Sequence, residues 1–490
     1  MGLWSKFLER EDASTYISKD ADMPRILHTK DFLALGVGTI VSTAIFTLPG
    51  VVAANYAGPS VVFSFLLAAV VAGFVALAYA EMASTLPVAG SAYSWINVLF
   101  GEGFGWIAGW ALLAEYIIAV AFVGSGLSAN FRGLISQIGI NLPPAISGAL
   151  DTHSLFGWAS SVSGPKGGVV DIVAFIAIIA VAWLLSHGVH EASRVEVVLV
   201  VIKVLAVLLF IVVGLTAIHP ENYSPFVPAY TPNGTTIGGF QGIWAGVSGI
   251  FLAYIGFDSI ASNSAEAVNP QKTMPRGILG SLLIAVVLFV GVSLVLVGMF
   301  KYTKYVDNAE PVGWALREAG HPIVAATVST IAVVGMVTAL IGMMMAGSRL
   351  LYSFGRDGML PKWLGEVTEN KGLPNRGLLV LTVVAVIVGS FFPFSFLSEL
   401  ISAGTLIAFI FVSLAMYSLH KREGKNLPKA GFKMPGYPVT PAIGALLSVW
   451  VFWGLSTEAK LYALIWFIIG IIVYFLYGAK HSVLRSKSSK

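Results

Sequence analysis

Apolar residues in this chain neither alternate with polar ones nor recur on one face of a helix. They come in continuous blocks, separated by short stretches where Gly, Pro and charged residues gather. A block of about twenty apolar residues predicts a helix long enough to cross a bilayer, because only a helix satisfies its own backbone groups in hydrocarbon. Twelve blocks fit, near residues 31–54, 60–84, 103–131, 169–186, 195–218, 239–266, 276–300, 322–348, 376–393, 396–419, 439–457 and 460–479. The strands of a membrane barrel would alternate, so a barrel is excluded.

Two blocks are interrupted. The first contains GVGTIVSTAIFTLPG, Gly36 to Gly50, a run of small and hydroxyl residues ahead of Pro49. The sixth contains FLAYIGFDSIASNS, Phe251 to Ser264, with Gly256 near its middle. Small residues in one span can simply allow close helix packing. Interrupted spans at matching places in two halves predict more: an inverted repeat, with broken helices 1 and 6 around a central site. The expected fold is an all-α membrane protein of twelve transmembrane helices, a five-plus-five inverted-repeat core and two C-terminal helices. In these terms residues 1–30 form a cytoplasmic segment, 31–218 the first repeat, 219–238 an extracellular loop and 239–419 the second repeat. Residues 420–438 form a cytoplasmic loop, 439–479 helices 11 and 12, and 480–490 a cytoplasmic tail. The Pro-, Gly- and Ser-rich segment 133–167 reads as a further extracellular loop.

Composition agrees. Apolar residues make up 57% and charged residues 11% of the chain, with a mean hydropathy of +0.83, whereas a soluble domain carries about a quarter charged residues. With the N-terminus inside, inner loops and tails hold 22 Lys and Arg and outer loops 6, Lys203 completing the 29. That asymmetry predicts a plasma-membrane protein with both termini cytoplasmic. The basic residues then meet lipid headgroups, and nucleic acid is not an expected partner. No secretory h-region is present in the polar first thirty residues. There is no cysteine, so disulfides and thiolate metal sites are excluded.

Lys203 is the anomaly. It lies in VEVVLVVIKVLAVLLFIVVGLTAI, Val195 to Ile218, about 13 Å into a hydrocarbon core about 30 Å thick. A charge there costs about 3 kcal/mol, so it must be compensated or shed its proton. Ser42, Gly256 and Glu115 fall at similar depths, roughly 15–18 Å at helical rise. Two breaks, an acid and a base therefore share one layer. A half-helix N-terminus attracts a carboxylate and unwound carbonyls attract a cation, and an α-amino acid carries both groups. Its carboxylate is expected on the N–H groups of Thr43 and Ala44. Its amine is expected on the carbonyls of Ile40, Phe251, Leu252 and Ile255, with Val41 at the same break.

The quoted helix-1 run, followed by AGPS (Ala57 to Ser60), resembles the first helix of the amino acid–polyamine–organocation transporters. PVAGSAYSW (Pro87 to Trp95), GWALLAEY (Gly109 to Tyr116), AYIGFDSIASNSAEAVNPQKTMPRGI (Ala253 to Ile278), SRLLYSFGRDGMLP (Ser348 to Pro361) and ISAGTLIAF (Ile401 to Phe409) are similar to the bacterial cationic amino acid transporter branch. These five follow in order, and the resemblance runs from about residue 30 to 435. The resemblance implies alternating access and amino acid substrates, often coupled to protons. It also implies that Lys203 stands where sodium-coupled relatives hold a sodium ion, and so serves in proton coupling; the alternative is a static strut to helix 1. One departure stands out. The family has Gly, then Ser or Thr, then Gly before Ile-Phe in helix 1, and here the triplet is Ser42-Thr43-Ala44. Two added Cβ atoms predict a tighter break or a smaller pocket.

Glu115 could accept from a cationic side chain or from water near the amine, or be a protonated acid bonded within the bundle. Asp258 reads as a brace for the inner half of helix 6. Phe251, five residues ahead of Gly256, matches the family's gate; Phe257 and Met336 are further gate or pocket candidates, with core packing as the alternative. Glu266, Arg356 and Asp357 are expected to cap helices or pair at the cytoplasmic side. No His lies deep in a span, and there is no Walker pattern, cofactor motif or intramembrane metal cluster, so pumps and enzymes are disfavoured. A channel would need a continuous polar stripe. The expected partners are an amino acid, a proton and lipid, with a small membrane protein left open. The function expected is proton-coupled uptake of cationic or small neutral L-amino acids, the alternative being an uncoupled exchanger or facilitator of the same fold.

Overall fold

The computed structural model describes residues 7–20, 23, 25–136, 138–150, 168–187, 189–231, 234–306, 308, 310–368, 374–392 and 394–484. Among these the regular elements are all helical, and strand pairing is limited to isolated bridges such as Leu27 with Ala267. In chain order the helices are α1 (Ala13–Lys19), α2 (Thr29–Ile40), α3 (Thr43–Val52), α4 (Val61–Thr85), α5 (Ala92–Leu99), α6 (Glu102–Ser136) and α7 (Pro144–Ser147). They continue with α8 (Ile172–His187), α9 (Val189–Leu215), α10 (Gly239–Ile250), α11 (Phe257–Ser262), α12 (Pro270–Met299) and α13 (Pro311–Glu318). The last are α14 (Pro322–Arg356), α15 (Asn375–Phe391), α16 (Phe394–Arg422), α17 (Val439–Trp453), α18 (Thr457–Val473) and α19 (Ala479–His481).

Eight helical runs among the described residues are long and apolar enough to cross a membrane, one of them the bent run 29–85. Three further apolar helices, α8, α15 and α17, are shorter. Every apolar block of the sequence lies on one of these helices. Three differences are instructive. The first and second blocks run together, because the π turn Ala53–Ala57 and the 3-10 turn Gly58–Ser60 carry helical geometry through the expected loop. The short α5 and α13 lie in segments read as connections; α5 is buried along its whole length, and α13 buries Val312, Ala315 and Leu316. And α9 begins six residues before the block that predicts it. Of the predicted 133–167 loop, residues 151–167 lie outside the described residues, as does most of the 480–490 tail.

Burial separates centre from rim. In α6, 94% of the most apolar stretch is enclosed by protein, against 22% for the run at 457–481. A helix apolar on all sides yet enclosed belongs to the core; one equally apolar and uncovered faces lipid. The rim helix is tied in by polar handles: Trp110 Nε1 donates to the Trp466 carbonyl at 2.8 Å, and Trp466 Nε1 donates to the Trp110 carbonyl at 2.9 Å. The two indoles stack with centroids 4.8 Å apart, and Trp106 Nε1 donates to the Gly470 carbonyl.

Candidate functional site

Helix α2 stops at Ile40 and α3 starts at Thr43. At the stop, the Ser42 N–H donates to the Ile40 carbonyl at 2.9 Å. In a continuous helix that N–H would serve the carbonyl of Gly38, four residues back. The break therefore orphans the Gly38 carbonyl, and a buried orphan must find another donor. Lys203 supplies it. Its Nζ donates to the Gly38 carbonyl at 2.9 Å, to Thr338 Oγ1 at 2.9 Å and to the Gly335 carbonyl at 3.3 Å. Lys203 is 0% exposed. Its stem lies on Gly335 of α14, where a Cβ would come within 2.7 Å of Lys203 Cδ. One ammonium thus joins α9, the end of α2 and the middle of α14.

The second break runs through the 3-10 turn Phe251–Tyr254, the extended Ile255 and Gly256, which caps α11 with φ +131°. That φ is open to glycine and strained for L side chains. Asp258 braces the segment as expected. Its Oδ1 accepts from the Gly256 N–H at 3.0 Å and its Oδ2 from the Tyr116 hydroxyl at 3.0 Å. The two breaks touch: Thr39 Oγ1 donates toward the Gly256 carbonyl at 3.3 Å, and a Cβ on Gly256 would meet Thr39 Oγ1 at 2.8 Å.

Ile40, Val41, Thr43, Ala44, Phe251, Leu252 and Ile255 are all buried around these breaks. Thr43 Oγ1 is enclosed and has no hydrogen-bond partner. The carbonyls of Ile40 and Leu252 take local turn bonds, from Ser42 and Ile255 respectively, and each keeps a second lone pair. Phe251 and Phe257 both pack on Phe409 of α16, at centroid distances of 6.0 and 5.2 Å. Met336 is fully buried, one residue past the glycine that carries the Lys203 stem.

Glu115 is also fully buried, with no hydrogen-bond geometry met at either carboxylate oxygen. It stands beside Asp258 and Thr405. The acid and base of the sequence layer do not act on each other: the charged partner of Glu115 is Asp258, and that of Lys203 is Glu196. Sequence reasoning did not single out Glu196, Thr338, Gly335 or Tyr116. For Glu196 a signal existed, since it precedes Lys203 by seven residues, two helical turns.

At the end of the bundle where α2 begins and α14 ends, buried ion pairs join segments far apart in sequence. Arg349 meets Glu266 at 2.7 Å. Arg356 meets Asp20 at 2.6 Å and Asp357 at 3.0 Å, and its guanidinium lies over the Tyr16 ring. The pairing expected for Glu266, Arg356 and Asp357 is there; Asp20 and Arg349 are their unanticipated partners.

A sequence profile described as Amino acid permease matches residues 27–483. The chain belongs to the amino acid permease family, within the amino acid–polyamine–organocation superfamily. It is 59% identical over 472 residues to the branched-chain amino acid permease BcaP of Lactococcus lactis subsp. cremoris (strain MG1363), covering 96% of this chain and 98% of that protein. It is 35% identical to the methylthioribose transporter of Bacillus subtilis (strain 168), over 96% of each chain. It is 33% identical to the vacuolar cationic amino acid transporter 4 of Arabidopsis thaliana, over 82% of this chain and 64% of that one. This permease is a multi-pass membrane transporter and not an enzyme.

Proposed function

We propose that this permease imports amino acids with branched aliphatic side chains, driven by protons, by alternating access. Twelve spans form two inverted five-helix repeats and a C-terminal pair, set in the cell membrane with both termini cytoplasmic. The observation that carries the coupling is the Lys203 ammonium on the carbonyl that the first break orphans. Protonated, it ties α9 and α14 to the end of α2; neutral, it cannot satisfy all three acceptors, and the inner half of the first span is released. A lysine can cycle between these states and an arginine cannot. The substrate's carboxylate sits on the N–H groups of Thr43 and Ala44, and its amine on the carbonyls of Ile40, Phe251, Leu252 and Ile255. Phe251, Phe257 and Met336 supply an apolar surround for the side chain. The high identity to a branched-chain permease supports that substrate class.

A second reading, cationic substrates, is favoured by Glu115, a fully buried acid that stands beside Asp258 of the second break. Counterflow in proteoliposomes separates the two. Isoleucine, leucine and valine are expected to compete with labelled isoleucine, while lysine and arginine do not; the reverse order supports the second reading. Amines lacking the carboxylate should fail to compete, and equal competition would remove the Thr43 and Ala44 assignment. Net uptake insensitive to an imposed pH gradient would identify an uncoupled exchanger or facilitator.

A further inference from the structure

Glu196 is the buried acid that the transport reading leaves without a task. It is 3% exposed, and its Oε1 has no hydrogen-bond partner. Burying a carboxyl without such partners costs stability, and an apolar residue in its place would not carry that cost. Its position is specific. Glu196 and Lys203 are two turns apart on α9 and leave it on the same face. Both reach Gly38 on α2: Lys203 Nζ holds its carbonyl at 2.9 Å, and a Cβ there would lie 3.2 Å from Glu196 Oε1. Val200 of α9 and Thr338 of α14 close the same point, at 3.1 and 3.4 Å from that Cβ position. Among the described residues, the charged groups acting on Glu196 are Lys203 on its own helix and Asp31 on the first turn of α2. Asp31 is half-buried. A line of ionisable groups therefore runs from the bundle centre to the end where α2 begins: Lys203, Glu196, Asp31.

We propose that Glu196 is the inward proton acceptor for Lys203. Lys203 and Glu196 form no direct ion pair, so the step runs through one entering water: an N–H bond of the ammonium breaks, the water takes that proton and gives one of its own, and an O–H bond forms on the carboxylate, leaving a neutral amine and a neutral acid. The acid then gives its proton to water entering beside Asp31, and the carboxylate is restored. Lys203 regains a proton from outside water when the site faces outward, which closes the cycle with one proton crossed. Gly38 matters because its missing side chain leaves the two groups a shared contact. The inference rests on Lys203 being the proton carrier.

The test reconstitutes wild type, Glu196→Gln, Glu196→Asp and Lys203→Ala in liposomes. Each is assayed with labelled isoleucine in two modes: counterflow, which moves no net proton, and uptake driven by an inside-alkaline gradient. Glu196→Gln should keep counterflow and lose gradient-driven uptake on the order of a hundred-fold, the usual weight of a positioned proton acceptor. Glu196→Asp should restore part of it, with a shifted dependence on internal pH. If Lys203→Ala loses gradient-driven uptake and Glu196→Gln keeps it, Glu196 is not the acceptor and Lys203 stands. If Lys203→Ala keeps it, the carrier reading fails and this inference with it. Equal loss of both modes in folded Glu196→Gln would make Glu196 structural and overturn the proposal. Should Glu196→Gln not fold, the internal-pH profile of Glu196→Asp decides: an unshifted profile overturns the proposal.

Discussion

At Ser42 the chain leaves its helix with φ −104° and re-enters one at the next residue; at Gly256 it does so with φ +131°, after a 3-10 turn and an extended residue. The negative φ at Ser42 does not call for glycine; the positive φ at Gly256 does. The breaks also differ in what completes them. Gly256 is served mainly from its own segment, its N–H by Asp258 and its carbonyl by Ser259, with a longer bond from Thr39 of α2. Gly38 is served from other helices, by Lys203 of α9 and Thr338 of α14. The second break draws mostly on its own segment; the first depends on an ammonium from another helix, which in the proposed mechanism loses its charge. Under the proposed mechanism, two similar interruptions thus serve as a fixed element and an adjustable one.

The sharpest test of that contrast is Lys203. Lys203→Ala should abolish uphill, pH-dependent accumulation while substrate still raises the melting temperature of the purified protein. Lys203→Arg should bind and fail to cycle, since arginine keeps its proton. An alanine variant with wild-type accumulation and pH profile would make both breaks equally passive. Next is Gly256→Ala. The positive φ alone costs about 1–3 kcal/mol, and the added Cβ meets Thr39 Oγ1 at 2.8 Å. Thermal stability and uptake should both fall; a variant that melts like wild type would erase the distinction between the breaks. Ser42→Gly with Ala44→Gly should do less. The negative φ of −104° asks for no glycine; a glycine at 44 costs about 0.5–1 kcal/mol of helix stability and one at the N-cap 42 about a few tenths, so melting should drop slightly while transport of long substrates gains on short ones. Unchanged ratios would place these side chains away from the path. The smallest effect is expected from Thr338→Val. It removes one of three acceptors of Lys203, worth about 1–2 kcal/mol, and should slow uptake a few-fold without altering its pH dependence.

Much of this was legible in the chain because hydrocarbon punishes polar exceptions. Lys203 stood out as the one lysine in a run of Val, Leu and Ile, and the two breaks stood out by their small residues. What Lys203 binds was not legible: Gly335 and Thr338 are unremarkable letters in an apolar helix, and only the approach of α14 to α9 makes them acceptors. Glu196 was hidden for a different reason. It reads as the polar edge of its block, but α9 starts at Val189, so the helix carries Glu196 about 10 Å past its own beginning at 1.5 Å per residue. Hydropathy marks where polar residues end, not where a helix begins. The expected charge layer did not give the pairing, because depth along a helix says nothing of which way a side chain turns.

The exchange of indole hydrogen bonds between Trp110 and Trp466 has a practical consequence. It makes α18, the most accessible of the long helices, a fixed outrigger of the central α6. A probe on α18 therefore reports the frame of α6 without disturbing the core. The chain has no cysteine, so single thiols can be introduced in the native background. Spin-label or fluorophore pairs joining α18 to α3 and α18 to α11 would record, against one stationary reference, how far each half of the binding layer travels in a transport cycle.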